Sequence, residues 1–286
     1  MTAAGIGSVA VVGAGFMGSG IAESAARAGA TVILHEMDQS ALERSEQRIS
    51  ASVAKAVEGG KLTREDGDAL IGRISWTREF HSLAGAQLAI EAVVEDEHVK
   101  ADVFNRLDAI LAPDAIIASN TSSIPIAQLA AATGRADRVV GLHFFSPVPV
   151  MKLVEIVIAL DTSAATVARA SSFVEALGKT AVRTKDRSGF VVNMLLVPYL
   201  MAAVRMYEEG FASAEDIDAA MKLGAGHPMG PLTLADFIGL DVLYAVCDSL
   251  YEEFKRDEYA PPPLMKRMVA AGRLGRKTGR GFYDYG

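Results

Sequence analysis

Short runs of apolar residues recur along the chain up to about residue 185, and longer stretches with helical spacing separate them. Runs rich in Val, Ile and Leu without polar alternation are typical of strands buried on both faces of a parallel sheet. Their alternation with helices predicts an α/β fold, with a mostly parallel sheet and helices on both faces. The predicted strands are Ser8–Val12, Thr31–Leu34, Ile74–Trp76, Leu88–Glu91, Ile116–Ser119, Val139–His143, Leu153–Val157 and Thr180–Val182.

The segment between the second and third predicted strands is longer than a single crossover helix requires. It predicts an accessory helical hairpin, Ser40–Glu58 and Thr63–Gly72, with Thr63 as the N-cap of the second helix. Near Lys185 the pattern changes, because helical spacing continues but no further strand is predicted.

This change divides the chain into a first domain, residues 1–186, and a smaller all-helical domain, residues 187–286. The predicted helices of the second domain are Phe190–Glu208, Ser213–Leu223, Pro231–Ile238, Leu240–Phe254 and Leu264–Ala271.

A glycine-rich turn follows the first predicted strand and leads into a helical stretch, Gly20–Ala28. The pattern Gly13-x-Gly15-x-x-Gly18 between a strand and a helix is the fingerprint of a dinucleotide-binding, Rossmann-type domain. Gly13 permits the tight turn, Gly15 lets the backbone approach a pyrophosphate, and Gly18 lets the helix pack on the strand. The N–H groups at the helix start then face the negative charge.

Glu36 ends the second predicted strand, at about the 20-residue offset expected for the acid that binds the adenosine ribose. A carboxylate there accepts hydrogen bonds from the ribose hydroxyls and repels a 2′-phosphate, so we predict NAD rather than NADP. His35 or Arg44 could offset that repulsion. Asp38 is a second candidate for the ribose, although its place in the following loop is also typical of an N-cap.

The formal net charge of −7 predicts an acidic surface, which argues against nucleic acid or an anionic membrane as the main partner. The single cysteine, Cys247, excludes an internal disulfide and is typical of a reducing compartment. Its apolar helix favours a buried thiol over a nucleophile. We see no signal peptide, no stretch of the roughly 18 apolar residues that span a membrane, and no metal site, so we expect a cytoplasmic protein.

His143 ends the sixth predicted strand, and Glu155 lies within the next one, which is otherwise apolar. A histidine at the carboxyl end of a sheet strand lies where such folds bind ligands. A buried carboxylate needs a partner, and an imidazole would be a suitable one. The pair predicts a carboxylate-oriented general base. Taken without Glu155, His143 would be interpreted first as a core histidine bonded to backbone. Taken alone, Glu155 would be a surface residue at a sheet edge.

Two further polar elements point to the same site. Residues 119–123 lie at the end of the fifth strand and supply hydroxyls and an amide, although Ser122 or Ser123 could instead cap the helix that begins near Pro125. Asn193 lies in an otherwise apolar helix at the domain junction, where its amide requires a partner.

These residues lie in motifs by which the chain resembles the L-3-hydroxyacyl-CoA dehydrogenases, particularly the short bacterial 3-hydroxybutyryl-CoA dehydrogenases. The resemblance covers essentially the whole chain. It is carried by residues 13–18, 91–96, 119–123, 141–150, 186–193, 227–231 and 275–283.

The resemblance implies reversible, NAD-dependent oxidation of a short 3-hydroxyacyl-CoA by a homodimer. It implies that His143 is the catalytic histidine, that Glu155 pairs with it, and that Ser122 and Asn193 contact the reacting oxygen and the histidine's surroundings. The cofactor contacts that it implies are made by Gly13, Gly15, Phe16, Met17, Gly18, Glu36, Glu95, Lys100, Asn120, Ser122, Ser146 and Lys277.

Two departures from the family pattern concern ligand contacts rather than the chemistry. Ser146 stands where the family commonly has asparagine, so a cofactor contact there is weaker or water-mediated. In the accessory hairpin, Lys55 and Lys61 are available to a CoA phosphate, but Glu58 is unfavourable beside one. Two other functions therefore stay open: oxidation of a non-CoA hydroxy acid on the same fold, and NAD binding without catalysis.

Overall fold

A computed structural model gives the structure of residues 5–286. Its eight strands form one sheet in the order β3-β2-β1-β4-β5-β6-β7-β8, and neighbours are parallel except β6 and β7. The mostly parallel sheet predicted from the apolar runs is therefore confirmed. The strands are β1 Ser8–Val12, β2 Thr31–His35, β3 Ile74–Thr77, β4 Leu88–Glu91, β5 Ile116–Ser119, β6 Val139–Phe144, β7 Leu153–Ile158 and β8 Thr180–Lys185.

Strand β8 extends three residues beyond its predicted end. Arg183, Thr184 and Lys185 pair with β7, but β8 is an edge strand and these polar residues interrupt the apolar run that marks its start. An edge strand faces solvent, so its polar residues are compatible with pairing even though they hide it from the hydrophobic pattern.

Between residues 5 and 186, six α-helices accompany the sheet. They are α1 Phe16–Arg27, α2 Gln39–Glu58, α3 Arg64–Ile71, α4 Glu97–Ile110, α5 Ile126–Ala130 and α6 Ala164–Ala176. Helix α1 begins inside the glycine motif, four residues before the predicted start. The predicted hairpin is α2 and α3, and the side chain of Thr63 caps α3 by accepting from Asp66 N. In α2 the buried positions Leu42, Ile49 and Val53 recur at helical spacing.

The first compact unit of the chain ends at Asp186, and the second runs from Arg187 to Gly286. The second unit contains α7 Val192–Glu208, α8 Ala214–Gly224, α9 Pro231–Ile238, α10 Leu240–Phe254 and α11 Pro263–Ala270. Between residues 187 and 286, β structure is limited to two isolated bridges near the C-terminus.

The core of the second unit includes Cys247, which is fully buried. Burial raises the pKa of the Cys247 thiol to about 12, so it is neutral and unreactive near pH 7. The buried carboxylate of Asp236 accepts from Phe282 N and Tyr283 N, both at 3.0 Å, and so fixes the C-terminal segment on this core.

Between residues 5 and 286, no helix combines the length and apolar character needed to cross a bilayer.

Candidate active site

The glycine turn after β1 leaves open space where a phosphate would bind. Gly13 has a φ of +105°, and its N–H donates to His35 O at 2.9 Å. A Cβ on Gly18 would lie 1.8 Å from Gly13 O, so helix α1 packs here only with glycine. A Cβ on Gly15 would meet nothing within 4 Å, and no side chain caps α1 at this residue. The open N-terminus of α1 therefore fits the pyrophosphate of a dinucleotide.

Glu36 lies beside this turn, at the end of β2. Its Oε2 accepts from Ala14 N at 3.2 Å, and its Oε1 accepts from Met37 N at 2.8 Å. Asp38 instead caps α2 by accepting from Ser40 N at 3.0 Å, and it forms a salt bridge with Arg44 at 3.5 Å. The structure therefore assigns Asp38 the capping role and leaves Glu36 beside the glycine turn.

The two groups that could offset the charge of Glu36 have other environments. His35 is buried, and burial lowers the pKa of its imidazole, so it is neutral near pH 7. Arg44 is paired with Asp38.

Phe16, the first residue of α1, is 55% exposed, and Met17 packs partly against the core.

His143 and Glu155 form a buried pair. Nδ1 of His143 lies 2.8 Å from Oε2 of Glu155, whose residue has no exposed surface. Strand β7 pairs with both β6 and β8, so Glu155 is inside the sheet and the edge-residue interpretation is wrong. An ionised carboxylate only accepts hydrogen bonds, so it selects the tautomer that carries a proton on Nδ1 and a lone pair on Nε2. A histidine held in this way is suited to proton transfer at Nε2.

A carboxylate shapes the turn that contains Ser122. Oε1 of Glu95 accepts from Thr121 Oγ1 at 2.5 Å, from Ser122 N at 3.0 Å and from Ser123 Oγ at 3.0 Å. Although burial favours the neutral form, Lys100 and these donors outweigh it and hold the pKa of Glu95 below its ordinary value. An ionised Glu95 therefore fixes the backbone of Ser122 at the carboxyl end of β5.

The first N–H groups of α5 are capped from a distant part of the chain. The carboxylate of Asp186 accepts from Ile126 N at 2.9 Å and from Ala127 N at 2.7 Å. The sequence offered Ser122 or Ser123 as an alternative cap for this helix, and Asp186 caps it instead. The sequence carries no local signal for this contact, because sixty residues separate the partners.

Lys100 is a buried residue of α4, although its sequence context alone is that of an ordinary solvated charge. Its Nζ lies 2.6 Å from Oε1 of Glu91 and 3.2 Å from Oε2 of Glu95. Glu91 is the last residue of β4, and Glu36 directly follows β2. An acid at the end of an apolar strand is therefore the signal by which Glu91 could have been found. Oδ1 of Asn120 accepts from Phe144 N at 2.9 Å, which joins the end of β5 to β6 beside His143.

The remaining predicted site residues lie in loops or in the second unit. Ser146 is exposed and precedes Pro147 through a cis peptide bond. Asn193 is the second residue of α7 and is half-buried. Lys277 is exposed, and its Nζ donates to Asp241 at 2.6 Å. The roles that the resemblance implies for these three residues stay predictions.

Comparison with known proteins gives a family for both parts of the chain. The protein-family model described as "3-hydroxyacyl-CoA dehydrogenase, NAD binding domain" matches residues 8–187. The family model described as "3-hydroxyacyl-CoA dehydrogenase, C-terminal domain" matches residues 189–285. The chain belongs to the 3-hydroxyacyl-CoA dehydrogenase family. The resemblance predicted from its motifs is thereby confirmed, and the NAD-binding domain establishes a nicotinamide dinucleotide as the type of cofactor.

Individual members of the 3-hydroxyacyl-CoA dehydrogenase family are similar to this chain over its whole length. A 3-hydroxybutyryl-CoA dehydrogenase of Mycobacterium tuberculosis is 54% identical over 279 residues, which cover 97% of this chain and 98% of the relative. The crystal structure of (S)-3-hydroxybutyryl-CoA dehydrogenase PaaH1 from Ralstonia eutropha has a TM-score of 0.94 and 44% identity. The match covers 98% of this chain and 99% of that structure.

Proposed function

We propose that the protein catalyses the reversible oxidation of a short (S)-3-hydroxyacyl-CoA, such as 3-hydroxybutyryl-CoA, to the 3-ketoacyl-CoA, with NAD as the cofactor. The observation that carries the proposal is the buried His143–Glu155 pair, with 2.8 Å between Nδ1 and Oε2. Full-length similarity to proteins named 3-hydroxybutyryl-CoA dehydrogenase supports the choice of substrate.

In the proposed oxidation, bound NAD would supply the acceptor for the hydride that leaves C3 of the substrate. Nε2 of His143 takes the proton of the 3-hydroxyl as the C3–O bond becomes a carbonyl, and it returns that proton in the reducing direction. Glu155 fixes the tautomer and stabilises the imidazolium that forms. The hydride and the proton leave different atoms of the substrate, so the histidine needs to reach only the oxygen.

Two other side chains complete the proposed catalytic set. Ser122 and Asn193 hydrogen-bond the reacting oxygen or the histidine, and so help to set the geometry for hydride transfer. Glu95 supports this role of Ser122, because its Oε1 accepts a hydrogen bond from Ser122 N at 3.0 Å and so fixes the backbone at this residue.

The proposed cofactor is NAD rather than NADP. The carboxylate of Glu36 lies beside the glycine turn, and neither the neutral His35 nor the Asp38-paired Arg44 offsets its charge. A 2′-phosphate would meet this negative charge, whereas ribose hydroxyls would donate hydrogen bonds to it.

We further propose a cytoplasmic homodimer that assembles through the second domain. On helix α7, Leu195 and Met206 are 72% and 39% exposed and lie on one face at helical spacing. Exposed apolar side chains in such a row are typical of a subunit interface. Size-exclusion chromatography with light scattering tests the mass, and L195E is expected to shift a dimer toward monomer.

A spectrophotometric assay with acetoacetyl-CoA and NADH tests the proposed activity, with NADPH and free acetoacetate as comparison arms. We expect NADH oxidation with the CoA ester alone. In H143A, turnover is expected to fall by roughly two to four orders of magnitude, the usual contribution of a general base, while NADH still binds. H81A, which alters an exposed histidine of the same domain, is the matched control.

Each contrary outcome of this assay would overturn a different part of the proposal. Turnover of acetoacetate as well as its CoA ester would indicate a non-CoA hydroxy acid as the substrate. NADH binding without turnover of either compound would indicate a cofactor-binding protein without this catalysis. Undiminished turnover in H143A would remove His143 from the proposed mechanism.

A further inference from the structure

Three charged side chains form a cluster at the carboxyl end of β4, two of them buried and the third, Glu95, partly exposed. Glu91 has no exposed surface, and Lys100 is 1% exposed. Nζ of Lys100 contacts Oε1 of Glu91 at 2.6 Å and Oε2 of Glu95 at 3.2 Å. We refer to these three residues as the β4 cluster.

Every hydrogen bond to the carboxylate of Glu91 is one that it accepts. Oε1 accepts from Val93 N at 2.7 Å as well as from Lys100, and Oε2 accepts from Ser119 Oγ at 2.6 Å. This pattern is that of an ionised carboxylate, because a protonated one would donate. The three donors compensate for the loss of water around Glu91.

The β4 cluster therefore contains two carboxylates and one ammonium group, and its net charge is −1. Asp96 and Glu97 lie between Glu95 and Lys100 in the chain, but both are exposed at the start of α4, where solvent and salt screen their charges. The charge of Glu91 is screened much less, because that carboxylate is fully buried.

The strand order places this negative charge on one side of the glycine turn. The sheet reverses its order at β1, and a dinucleotide lies across the crevice at such a switch point. On one side Glu36 directly follows β2, and the adenosine half of the cofactor belongs beside it. On the other side β4, β5 and β6 follow in order, with the β4 cluster at the first and His143 at the third. The nicotinamide half belongs between the glycine turn and His143, on the side of the β4 cluster.

The two redox forms of the cofactor differ in charge at the nicotinamide ring alone, which is a cation when oxidised and neutral when reduced. A fixed negative charge on the nicotinamide side stabilises the oxidised ring by Coulomb attraction and does not do so for the reduced ring. This inference rests on the proposed function: we infer that Glu91 raises the affinity of the enzyme for the oxidised cofactor relative to the reduced one, by giving the β4 cluster its excess negative charge.

Binding of NAD+ and NADH to the purified protein without acyl substrate tests this inference. NADH is titrated by its fluorescence, and NAD+ by competition against it, for wild type and for E91Q. The amide has the shape of the carboxylate and removes one charge. We expect the ratio of the dissociation constants, Kd(NAD+)/Kd(NADH), to rise by roughly three- to tenfold in E91Q, the scale of one partly screened charge.

Two further variants separate charge from structure. S119A removes the Ser119 hydrogen bond to the same carboxylate without removing a charge, so it is expected to leave the ratio unchanged. E95Q removes the other negative charge from a side chain that is 40% exposed, and it is expected to raise the ratio in the same direction. E95Q decides the test if E91Q does not fold, as judged by circular dichroism.

The outcomes distinguish this inference from the proposed function. A ratio in E91Q and E95Q equal to that of wild type, or one that S119A raises equally, would overturn the role of the cluster charge. Failure of the enzyme to act on acetoacetyl-CoA would leave this binding experiment unaffected. Wild-type protein that binds neither form of the cofactor would overturn both proposals.

Discussion

His143 and Glu155 are directly opposite each other in the antiparallel strand pair β6–β7. Backbone pairing of the two strands sets this register, so the approach of Nδ1 to Oε2 at 2.8 Å does not depend on a flexible loop. Opposed residues in an antiparallel pair have Cβ atoms about 5 Å apart, a separation that an imidazole and a carboxylate can bridge. The orientation of the histidine is therefore built into the sheet.

The first prediction concerns the charge of Glu155. In E155Q the neutral amide keeps the size of the side chain but no longer stabilises an imidazolium, and its NH2 group can select the other tautomer. We expect kcat with acetoacetyl-CoA and NADH to fall by about two orders of magnitude, while the Kd of NADH changes little. E175Q, at an exposed position of α6, is the control. A kcat for E155Q within twofold of wild type would contradict the proposed role.

The second prediction concerns Glu36 and the choice of cofactor. Replacement by serine removes the charge that faces a 2′-phosphate and the acceptor for the ribose hydroxyls. We expect the ratio of kcat/KM for NADPH to that for NADH to rise by about ten- to a hundredfold in E36S, since a charged hydrogen bond contributes about 1.5–3 kcal/mol. D38N tests the neighbouring acid, which caps α2, and is expected to leave the ratio unchanged. A larger shift in D38N than in E36S would reverse the assignment.

The third prediction concerns the cap that Asp186 supplies to α5. D186A leaves Ile126 N and Ala127 N without their acceptor. We expect the free energy of unfolding of the first domain to fall by about 1–2 kcal/mol, as for other lost helix caps. Urea denaturation followed by circular dichroism measures this change. D186N keeps one oxygen acceptor and is expected to recover part of the loss, and equal stability of D186A and wild type would show that the cap contributes nothing.

Local sequence signals predicted most of the fold. The glycine turn, the Thr63 cap and the apolar runs are patterns within a few residues, and the structure contains each of them. The His143–Glu155 pair was also within reach, because the two strands follow one another closely along the chain. In these cases the interacting groups are neighbours in sequence or in successive strands.

The missed features depend on contacts between distant segments. The charge of the buried Lys100 is compensated by two carboxylates, those of Glu91 at the end of β4 and of Glu95 in the loop that follows β4. Asp186 caps a helix sixty residues earlier, where the local pattern offered a serine cap as an alternative. Hydrophobic periodicity carries no information about which charged side chain reaches a given helix end, so these contacts required the tertiary structure.

The fourth prediction is a pH dependence that arises from Glu95. Burial favours its neutral form, but Lys100 and the donors of the Ser122 turn hold the pKa of Glu95 below its ordinary value in the folded protein. A carboxyl with a lowered folded pKa contributes stability that is fully present above its unfolded pKa and is lost as the pH falls through the folded value. The stabilisation by Glu95 is therefore complete above about pH 5.5 and declines below about pH 4.5.

Comparison of wild type with E95Q isolates this contribution, because glutamine keeps the shape of the side chain and does not titrate. We expect E95Q to unfold at lower urea concentration than wild type near pH 7, and the gap between the two midpoints to narrow as the pH falls below about 4.5. E175Q reports the loss of one exposed carboxylate. A gap that stays constant to low pH, or that E175Q reproduces, would show that the ionised Glu95 does not stabilise the Ser122 turn.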